Sequence, residues 1–416
     1  MTENYGIIVC KGAGNRGPLH FSLKHIDYCP DIFCSEHWFV IGSIMTAEME
    51  KKLYPYAKQR SHSPVICDYT SRGPQKDNGS RGITFTAPGF AITAPPKWSS
   101  SLNQQVHGTS VATPNVTGSI ACLLSALKAN SVLYSPATIR LALSNTAYLP
   151  NGRNKLEFGE GIIQINAAFE FIKTFATNAF VPKTLPQLSI SDSNMNGIFL
   201  VKEEYKEIIK TFYVKLKHNF GHKQIPWILK LFSTTKTNFI QHSKTLTNNE
   251  FSVETDTTSL QPGSINYAEI YGYDSSNLSL GPLFHLPITV IIPERATKNE
   301  FFCINTQHSL RELSFYSLRK ILFLKNGIPF TFFFIPPFQC IKCEVAITAM
   351  ERFPISTDLK LRYSTQFSKK LSFCQKNDVR KFIIDTDIEK MWELSITSIT
   401  RSNDEQKFKL EIFFTC

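Results

Sequence analysis

The spacing of apolar residues divides the chain into a helical first part and a later part of short strands. Apolar positions recur every three or four residues through residues 110–128, which predicts one long amphipathic helix. A second helix is predicted from Pro136, because Ser135 can cap it and proline is favoured at the first helical position. A short helix is predicted over residues 167–174. After about residue 180 this periodicity fades, and alternating β-branched and aromatic residues take over.

Short apolar runs predict buried strands on both sides of this change. Residues 5–9 and 34–44 precede the long helix, and residues 265–273 and 286–292 are the clearest strands of the later part. The first run leads into a glycine-rich turn that contains Asn15, as the strands of α/β sheets do where they deliver residues to a site. The sequence therefore predicts a parallel sheet with helices, followed by β-sandwich-like domains.

Composition indicates a globular chain of two or three domains. Of its 416 residues, 42% are hydrophobic and 12% aromatic, and no run of about 18 apolar residues predicts a membrane-spanning helix. The first residues lack the pattern of a secretory signal, and ten scattered cysteines are typical of buried thiols in a reducing compartment. We therefore expect a cytoplasmic protein. Cys340 and Cys343 have no second pair at zinc spacing, so no metal and no cofactor are expected.

The formal net charge of +11 raises the possibility of a nucleic-acid binder. The basic residues are spread along the chain, however, and acidic residues interrupt the densest region, residues 202–244. No known nucleic-acid-binding motif accompanies them. A solvated basic face is the favoured interpretation, and no nucleic-acid or membrane partner is expected.

The stretch from His107 to Gly118 contains the pattern Gly-Thr-Ser-x-Ala-x-Pro-x-x-x-Gly. It resembles the segment around the nucleophile of subtilisin-like serine peptidases, and it also resembles the His-Gly-Thr-x-Val-Ala-Gly segment around their catalytic histidine. The first interpretation is favoured because Pro114 and Gly118 fit it, whereas Thr113 stands where the histidine segment has glycine. The order of the motifs agrees, since a Gly-Asn turn lies upstream and no Asp-Ser-Gly or Asp-Thr-Gly precedes His107.

These residue types suit acyl transfer. Ser110 is the predicted nucleophile, and a helix that begins beside it would aim backbone N–H groups at a developing oxyanion. Gly108 and Thr109 are small enough to let a substrate backbone approach. Asn15 is predicted to supply the side-chain amide of the oxyanion hole.

The chain resembles the subtilisin-like peptidases and, within them, the tripeptidyl-peptidase II family. In the α/β part the resemblance rests on Gly14-Asn15-x-Gly17-Pro18, Gly108-Thr109-Ser110, Pro114-Asn115 and the segments 71–74, 87–89, 123–130, 145–147 and 161–164. Segments 271–274 and 281–289 resemble the first β domain of that family. On this basis residues 1–178 are expected to be the C-terminal part of a subtilisin-like domain, residues 179–296 an immunoglobulin-like β-sandwich, and residues 297–416 a jelly-roll or galactose-binding-like β domain.

The resemblance implies a cytosolic serine exopeptidase that removes tripeptides from the free N-termini of oligopeptides and forms homo-oligomers. Val111 and His107 depart from the family pattern beside a retained Ser110. The family places its aspartate and histidine motifs before residue 5. His20, His25, His37 and His62 all follow Asn15, outside that context, and are expected to be surface or core histidines.

Three functions follow from these observations. The first is a tripeptidyl-peptidase II-type serine peptidase of which this chain is a fragment without the catalytic aspartate and histidine, inactive by itself. The alternative is a catalytically dead assembly or binding module derived from that peptidase. The third is the basic nucleic-acid binder. In-frame sequence upstream that encodes the two missing motifs would separate the first from the second.

Overall fold

The computed structural model describes residues 6–23, 38–53, 64–93, 98, 104–176, 182, 184–191, 193, 195–202, 208–218, 225–233, 238–304, 310–325, 328–337, 340, 342–351, 357–363, 367–385, 391–399 and 405–415. The chain forms two compact units. One comprises Met1–Pro55, Ser61–Leu260 and Asn266–Val290, and the other comprises Tyr56–Arg60, Gln261–Ile265 and Ile291–Cys416.

The first unit begins with an α/β part built around one small sheet. Its elements are β1 (Val9–Gly12), β2 (Trp38–Met45), α1 (Ala47–Leu53), β3 (Val65–Ile66), β4 (Phe85–Pro88), β5 (Phe90–Thr93), β6 (Gln104–His107), α2 (Thr109–Ala129), α3 (Pro136–Thr146), α4 (Lys155–Phe158) and α5 (Ile165–Ala176). Strands β1 and β4 both pair with β2 in the parallel direction, as expected, whereas the two-residue β3 pairs with it antiparallel. Strands β5 and β6 form a separate antiparallel hairpin.

The long helix α2 begins and ends one residue outside its predicted range. Among the described residues it is long and apolar enough to cross a membrane by length and composition, and one stripe of it is buried in the core of the α/β part. Its buried stripe packs with Phe39 and Ile41 of β2 and Phe85 of β4. The stripe consists of Ala112, Val116, Ile120, Leu123 and Leu127. Burial of these side chains fixes the rotation of α2 and hence the direction in which its first turn faces.

Helix α3 begins where its sequence predicts. Ser135 Oγ accepts a hydrogen bond from the N–H of Thr138 at 3.1 Å, and the N–H of Ser135 donates to Thr138 Oγ1 at 2.7 Å. This reciprocal capping satisfies two N–H groups that the helix leaves unpaired. The predicted cap at Ser135 is confirmed.

Two four-stranded sheets complete the first unit. Their strands are β7 (Gln187–Ile190), β8 (Ile198–Val201), β9 (Ile209–Lys217), β10 (Trp227–Ser233), β11 (Ile240–His242), β12 (Glu250–Asp256), β13 (Ser264–Asp274) and β14 (Phe284–Ile292). The sheet orders are β10-β13-β14-β8 and β11-β12-β9-β7. Their inner faces meet where Phe251 of β12 stacks on Phe284 of β14, with ring centroids 6.1 Å apart. We call these two sheets the first sandwich.

The second unit contains two five-stranded sheets. The strands are β15 (Glu294–Arg295), β16 (Thr297–Ile304), β17 (Leu310–Leu324), β18 (Pro329–Ile335), β19 (Lys342–Ala349), β20 (Thr357–Tyr363), β21 (Phe367–Phe373), β22 (Val379–Asp385), β23 (Trp392–Ile399) and β24 (Gln406–Thr415). The orders are β15-β18-β23-β20-β21 and β16-β17-β24-β19-β22. Phe334 of β18 meets Phe414 of β24 edge-on at 6.0 Å, in a core to which both sheets contribute.

The finer domain assignments stay predictions. The division into compact units does not separate residues 1–178 from the first sandwich. The two-layer arrangement of both β regions agrees with sandwich-like domains, while the immunoglobulin-like and jelly-roll assignments are not tested by sheet order alone.

The cysteines differ from the expectation of buried thiols. Cys340 is disulfide-bonded, so it cannot act with Cys343 as a pair of thiolate ligands. The described free cysteines are Cys67 and Cys343, which are buried, Cys10, which is half-buried, and Cys122 and Cys374, which are exposed. The expectation therefore holds for two described positions and is wrong for Cys340, Cys122 and Cys374.

Candidate functional site

The predicted nucleophile lies in the first turn of α2. Ser110 is the second residue of the helix and is exposed, and Gly108 stands at its cap with φ +147°. Few residues other than glycine adopt this backbone conformation. The chain thus turns sharply from β6 into α2, and the turn presents Ser110 at the helix N-terminus.

Asn15 follows β1 and reaches the same turn. Its Oδ1 accepts two hydrogen bonds from Thr109, one from the backbone N–H at 3.0 Å and one from Oγ1 at 3.1 Å. The N–H of Gly14 in turn donates to Thr109 Oγ1 at 3.1 Å. These bonds direct Oδ1 toward Thr109 and leave the amide nitrogen, Nδ2, on the side of Gly108.

The structure brings the amide of Asn15 and the hydroxyl of Ser110 to the edge of one small space beside Gly108. A Cβ added to Gly108 would lie 3.0 Å from Ser110 Oγ and 3.1 Å from Asn15 Nδ2. The two atoms are therefore within about 6 Å of each other, and the absence of a side chain at Gly108 keeps the space between them open. An oxyanion that forms beside a serine needs a donor at about 3 Å, and this arrangement can offer one.

A second set of hydrogen bonds holds the turn against the end of β4. The N–H of Gly108 donates to the carbonyl of Gly89 at 3.0 Å, and Asn115 Nδ2 donates to the carbonyl of Pro88 at 2.7 Å. A Cβ on Gly89 would lie 1.7 Å from Ser43 Oγ, so the close approach of this backbone to Ser43 requires glycine at position 89. The end of β4 and the residue after it are thus hydrogen-bonded to a residue that precedes Ser110 in the sequence and to one that follows it.

An open groove of about 520 Å³ adjoins Ser110. Apart from Ser110 its lining consists of small residues of β1, the following turn and α2: Gly12, Gly14, Thr109, Thr113, Pro114, Thr117 and Gly118. Side chains of this size admit another backbone close to the nucleophile. The space is free beside Gly118, since a Cβ added there would meet nothing within 4 Å.

The described histidines of the α/β part are His20 and His107. The ring of His107 stacks on Phe90, with centroids 5.6 Å apart, and lies against Tyr69 at 5.5 Å. His20 is buried, at 5% exposure, as a core histidine. His25, His37 and His62 lie outside the described residues. Within the described part of the chain, Ser110 Oγ makes no hydrogen bond to an imidazole.

A buried group of charges, not foreseen from the sequence, connects the α/β part to the first sandwich. Arg81 Nη1 contacts Glu160 Oε1 at 2.7 Å and Glu269 Oε1 at 2.9 Å. Lys155 Nζ contacts the other oxygens of the same carboxylates, at 2.6 Å and 3.3 Å. We call Arg81, Lys155, Glu160 and Glu269 the charge cluster. Each cation contacts both carboxylates, so the two positive and two negative charges balance one another.

The two carboxylates of the charge cluster stay ionised. Burial by itself would raise the pKa of Glu160, but Arg81 and Lys155 outweigh it and lower that pKa to about 2. The same two cations hold the pKa of Glu269 well below its usual value against the effect of burial. Tyr267 and Tyr271 add hydrogen bonds, the first to Glu269 and the second from Lys155 Nζ at 2.7 Å.

The same place has the donor atoms of a metal site but not the charge of one. Ligand atoms of Glu160, Glu269 and His285 lie within 4.8 Å of one another. Both carboxylates are already neutralised by Arg81 and Lys155, so a divalent cation would add an uncompensated double charge. We therefore interpret the charge cluster as structural.

Known proteins resemble the chain in both parts of its first unit. Residues 1–162 match the model of the subtilase family, and residues 187–291 match the model described as "Tripeptidyl-peptidase II, first Ig-like domain". Tripeptidyl-peptidase 2 of Caenorhabditis elegans is 30% identical over 314 residues, which cover 72% of this chain and 22% of the relative. The Arabidopsis thaliana protein of the same name is 34% identical over 245 residues, or 54% and 17% of the two chains.

A solved structure gives the same result at the level of the fold. The crystal structure of tripeptidyl peptidase 2 superposes with a TM-score of 0.71 at 19% identity and covers 99% of this chain and 32% of that one. The chain spans about a fifth of the length of the curated relatives named above. The resemblance predicted from the sequence is confirmed. Over residues 1–162 the chain is similar to the subtilase family, and over residues 187–291 it is similar to the first Ig-like domain of tripeptidyl-peptidase II.

Proposed function

We propose that this chain supplies the nucleophile and one oxyanion-hole donor of a serine peptidase that releases tripeptides from free N-termini of oligopeptides. The observation that carries the proposal is that Asn15 Nδ2 and Ser110 Oγ both lie about 3 Å from the position of a Cβ added to Gly108. The release of tripeptides is proposed from the likeness to tripeptidyl-peptidase 2. A homo-oligomeric state and a cytoplasmic location are proposed from the resemblance of the sequence motifs alone.

In the proposed reaction Ser110 Oγ attacks the carbonyl carbon of the third peptide bond. The carbonyl oxygen becomes an oxyanion and accepts a hydrogen bond from Asn15 Nδ2, while the N-terminal dipole of α2 favours the same negative charge. Gly108 and Thr109 line the path of the substrate backbone. The amine then leaves, and water releases the tripeptide from the acyl-enzyme.

The reaction needs a base that takes the proton of Ser110 and gives it to the leaving amine. His107 and His20 are engaged elsewhere, since the ring of His107 is stacked on Phe90 and His20 is a core residue. We propose that a histidine and its orienting aspartate come from a polypeptide segment beyond the described residues. The small side chains around the groove leave room for such a segment next to Ser110.

The experiment compares the chain with and without that segment. The 416-residue chain by itself should not hydrolyse an Ala-Ala-Phe reporter, because Ser110 keeps its proton. Co-expression with a segment that carries the family's aspartate and histidine motifs should restore hydrolysis, and Ser110→Ala should abolish it. Asn15→Ala should lower the restored rate by roughly 10²–10³-fold, the effect known for such donors in subtilisin.

The second candidate is a catalytically dead assembly or binding module. It is favoured by the absence of a base near Ser110 within the described part of the chain. It predicts that the complemented complex forms but stays inactive, with Ser110→Ala equal to the unchanged chain. Hydrolysis by the chain alone that Ser110→Ala abolishes would contradict both candidates and mean that a described or neighbouring histidine serves as base.

A further inference from the structure

The charge cluster joins two parts of the chain that differ in fold. Arg81, Lys155 and Glu160 belong to the α/β part, and Glu269 belongs to β13 of the first sandwich. The side chain of Glu269 is 1% exposed, and those of Lys155 and Glu160 are 7% and 6% exposed. These charges are therefore removed from water at the junction.

The α/β part and the first sandwich contribute unequal charge to the charge cluster. The α/β part contributes two cations and one carboxylate, so it has one positive charge in excess until Glu269 arrives. The removal of one partner from a buried ion pair leaves a charge without compensation, and this typically costs several kcal/mol. The α/β part thus needs the first sandwich to neutralise its own buried side chains.

Close backbone contacts also join the α/β part and the first sandwich at this junction. The N–H groups of Asn196 and Gly197 both donate to the carbonyl of Asn78, at 2.9 and 3.1 Å. A Cβ on Gly79 would lie 2.1 Å from the carbonyl oxygen of Gly197. Elsewhere along the junction Asn145 Nδ2 donates to the carbonyl of Leu280 at 2.8 Å.

The junction continues through β4 to the nucleophile turn. The N–H of Glu160 donates to the carbonyl of Thr84 at 2.8 Å, and the N–H of Thr86 donates to the carbonyl of Gly161 at 2.9 Å. These bonds tie the segment that carries Glu160 to the beginning of β4. The other end of β4 is Pro88, whose carbonyl accepts the bond from Asn115 described above.

We propose that the first sandwich is a structural part of the nucleophile site, because the charge cluster couples it and the α/β part into one cooperative unit. Loss of the carboxylate of Glu269 then opens the turn at Gly108 and Thr109 as well as the sandwich. The inference does not depend on peptide hydrolysis, since it concerns the folding of the chain as it stands.

Amide hydrogen exchange of the full chain tests the coupling. Two sets of amides are followed, those of Gly108 and Thr109 in the nucleophile turn and those of β13 in the first sandwich. Under conditions in which exchange follows the opening equilibrium, Glu269→Gln should accelerate both sets by a similar factor, about 10²–10³-fold. Glu170→Gln is the control, because Glu170 forms an exposed pair with Lys173, and it should leave both sets unchanged.

Acceleration confined to β13 would overturn the proposal, and so would no acceleration in either set. The double variant Lys155→Met/Glu269→Gln covers the case in which Glu269→Gln does not fold. It removes one charge of each sign and leaves Arg81 paired with Glu160, so Gly108 and Thr109 should exchange more slowly in it than in Lys155→Met alone. Equal or faster exchange in the double variant would show that the charges are not coupled and would overturn the proposal.

Discussion

Thr109 holds the side chain of Asn15 through two hydrogen bonds to a single atom. Its backbone N–H and its hydroxyl both donate to Asn15 Oδ1, at 3.0 and 3.1 Å. With Oδ1 occupied in this way, Nδ2 is the only end of the amide that can face Ser110. The residue before the nucleophile thus acts as a positioning residue for the oxyanion-hole donor, a role additional to the substrate contact that its motif predicts.

Thr109→Val should release the amide of Asn15. The variant keeps the backbone N–H bond but loses the hydroxyl, which also accepts from the N–H of Gly14. We expect a loss of about 1 kcal/mol in the free energy of unfolding and faster motion of the Asn15 side-chain NH₂ in ¹⁵N relaxation measurements. Thr109→Ser, which retains the hydroxyl, should behave as the unchanged chain. Unaltered Asn15 relaxation in Thr109→Val would mean that the N–H bond alone holds the amide.

Two glycine substitutions beside the nucleophile should change stability in opposite directions. Gly118→Ala adds a methyl group that meets nothing within 4 Å in the middle of α2, so helix propensity should stabilise the chain by about 0.5–1 kcal/mol. Gly89→Ala places a Cβ 1.7 Å from Ser43 Oγ and should destabilise it by about 1–3 kcal/mol. Urea unfolding measures both. A destabilising Gly118→Ala would indicate that a polypeptide already covers this face of α2.

Acid should weaken the junction between the α/β part and the first sandwich. The pKa of Glu160 is lowered to about 2 in the folded chain, so this group stabilises the fold above its ordinary pKa of about 4.5. That stabilisation is lost as the pH falls from about 4.5 toward 2. The free energy of unfolding, measured with urea at pH 7, 5 and 3.5, should therefore fall more steeply with decreasing pH for the unchanged chain than for Glu160→Gln. Parallel losses in the two chains would contradict the ionised state of Glu160.

Thiol labelling should separate four of the five described free cysteines into fast and slow groups. Burial raises the pKa of Cys67 to about 11 and that of Cys343 to about 12, whereas Cys122 and Cys374 are exposed. At pH 8 the buried pair should react at least roughly 100-fold more slowly with a disulfide reagent, since the thiolate is the reactive form. Mass spectrometry identifies the labelled positions, and denaturant is the control that should make all four equivalent. Fast labelling of Cys67 in the folded chain would show that this part of the core opens readily.

Local features of the sequence determined the elements that carry the site. The apolar spacing of α2 and the Ser135–Pro136 start signal of α3 are properties of adjacent residues, so both helices were predictable to within a residue or two. The Gly-Thr-Ser motif located Ser110 at the beginning of α2 for the same reason. The proximity of Asn15 followed from the order of motifs and the rule that parallel strands deliver their residues to one edge of a sheet.

The tertiary structure alone decided which distant groups meet. Lys155 and Glu269 are 114 positions apart, and nothing in their local sequence distinguishes them from solvated surface charges. They form a buried pair because the fold brings Glu269 of β13 against the α/β part, where Arg81 and Glu160 complete the balance. The direction of the Asn15 amide was likewise undetermined until Thr109 lay beside it. A sequence specifies residue types and local periodicity, but compensation of a buried charge depends on contacts made only when the whole first unit has folded.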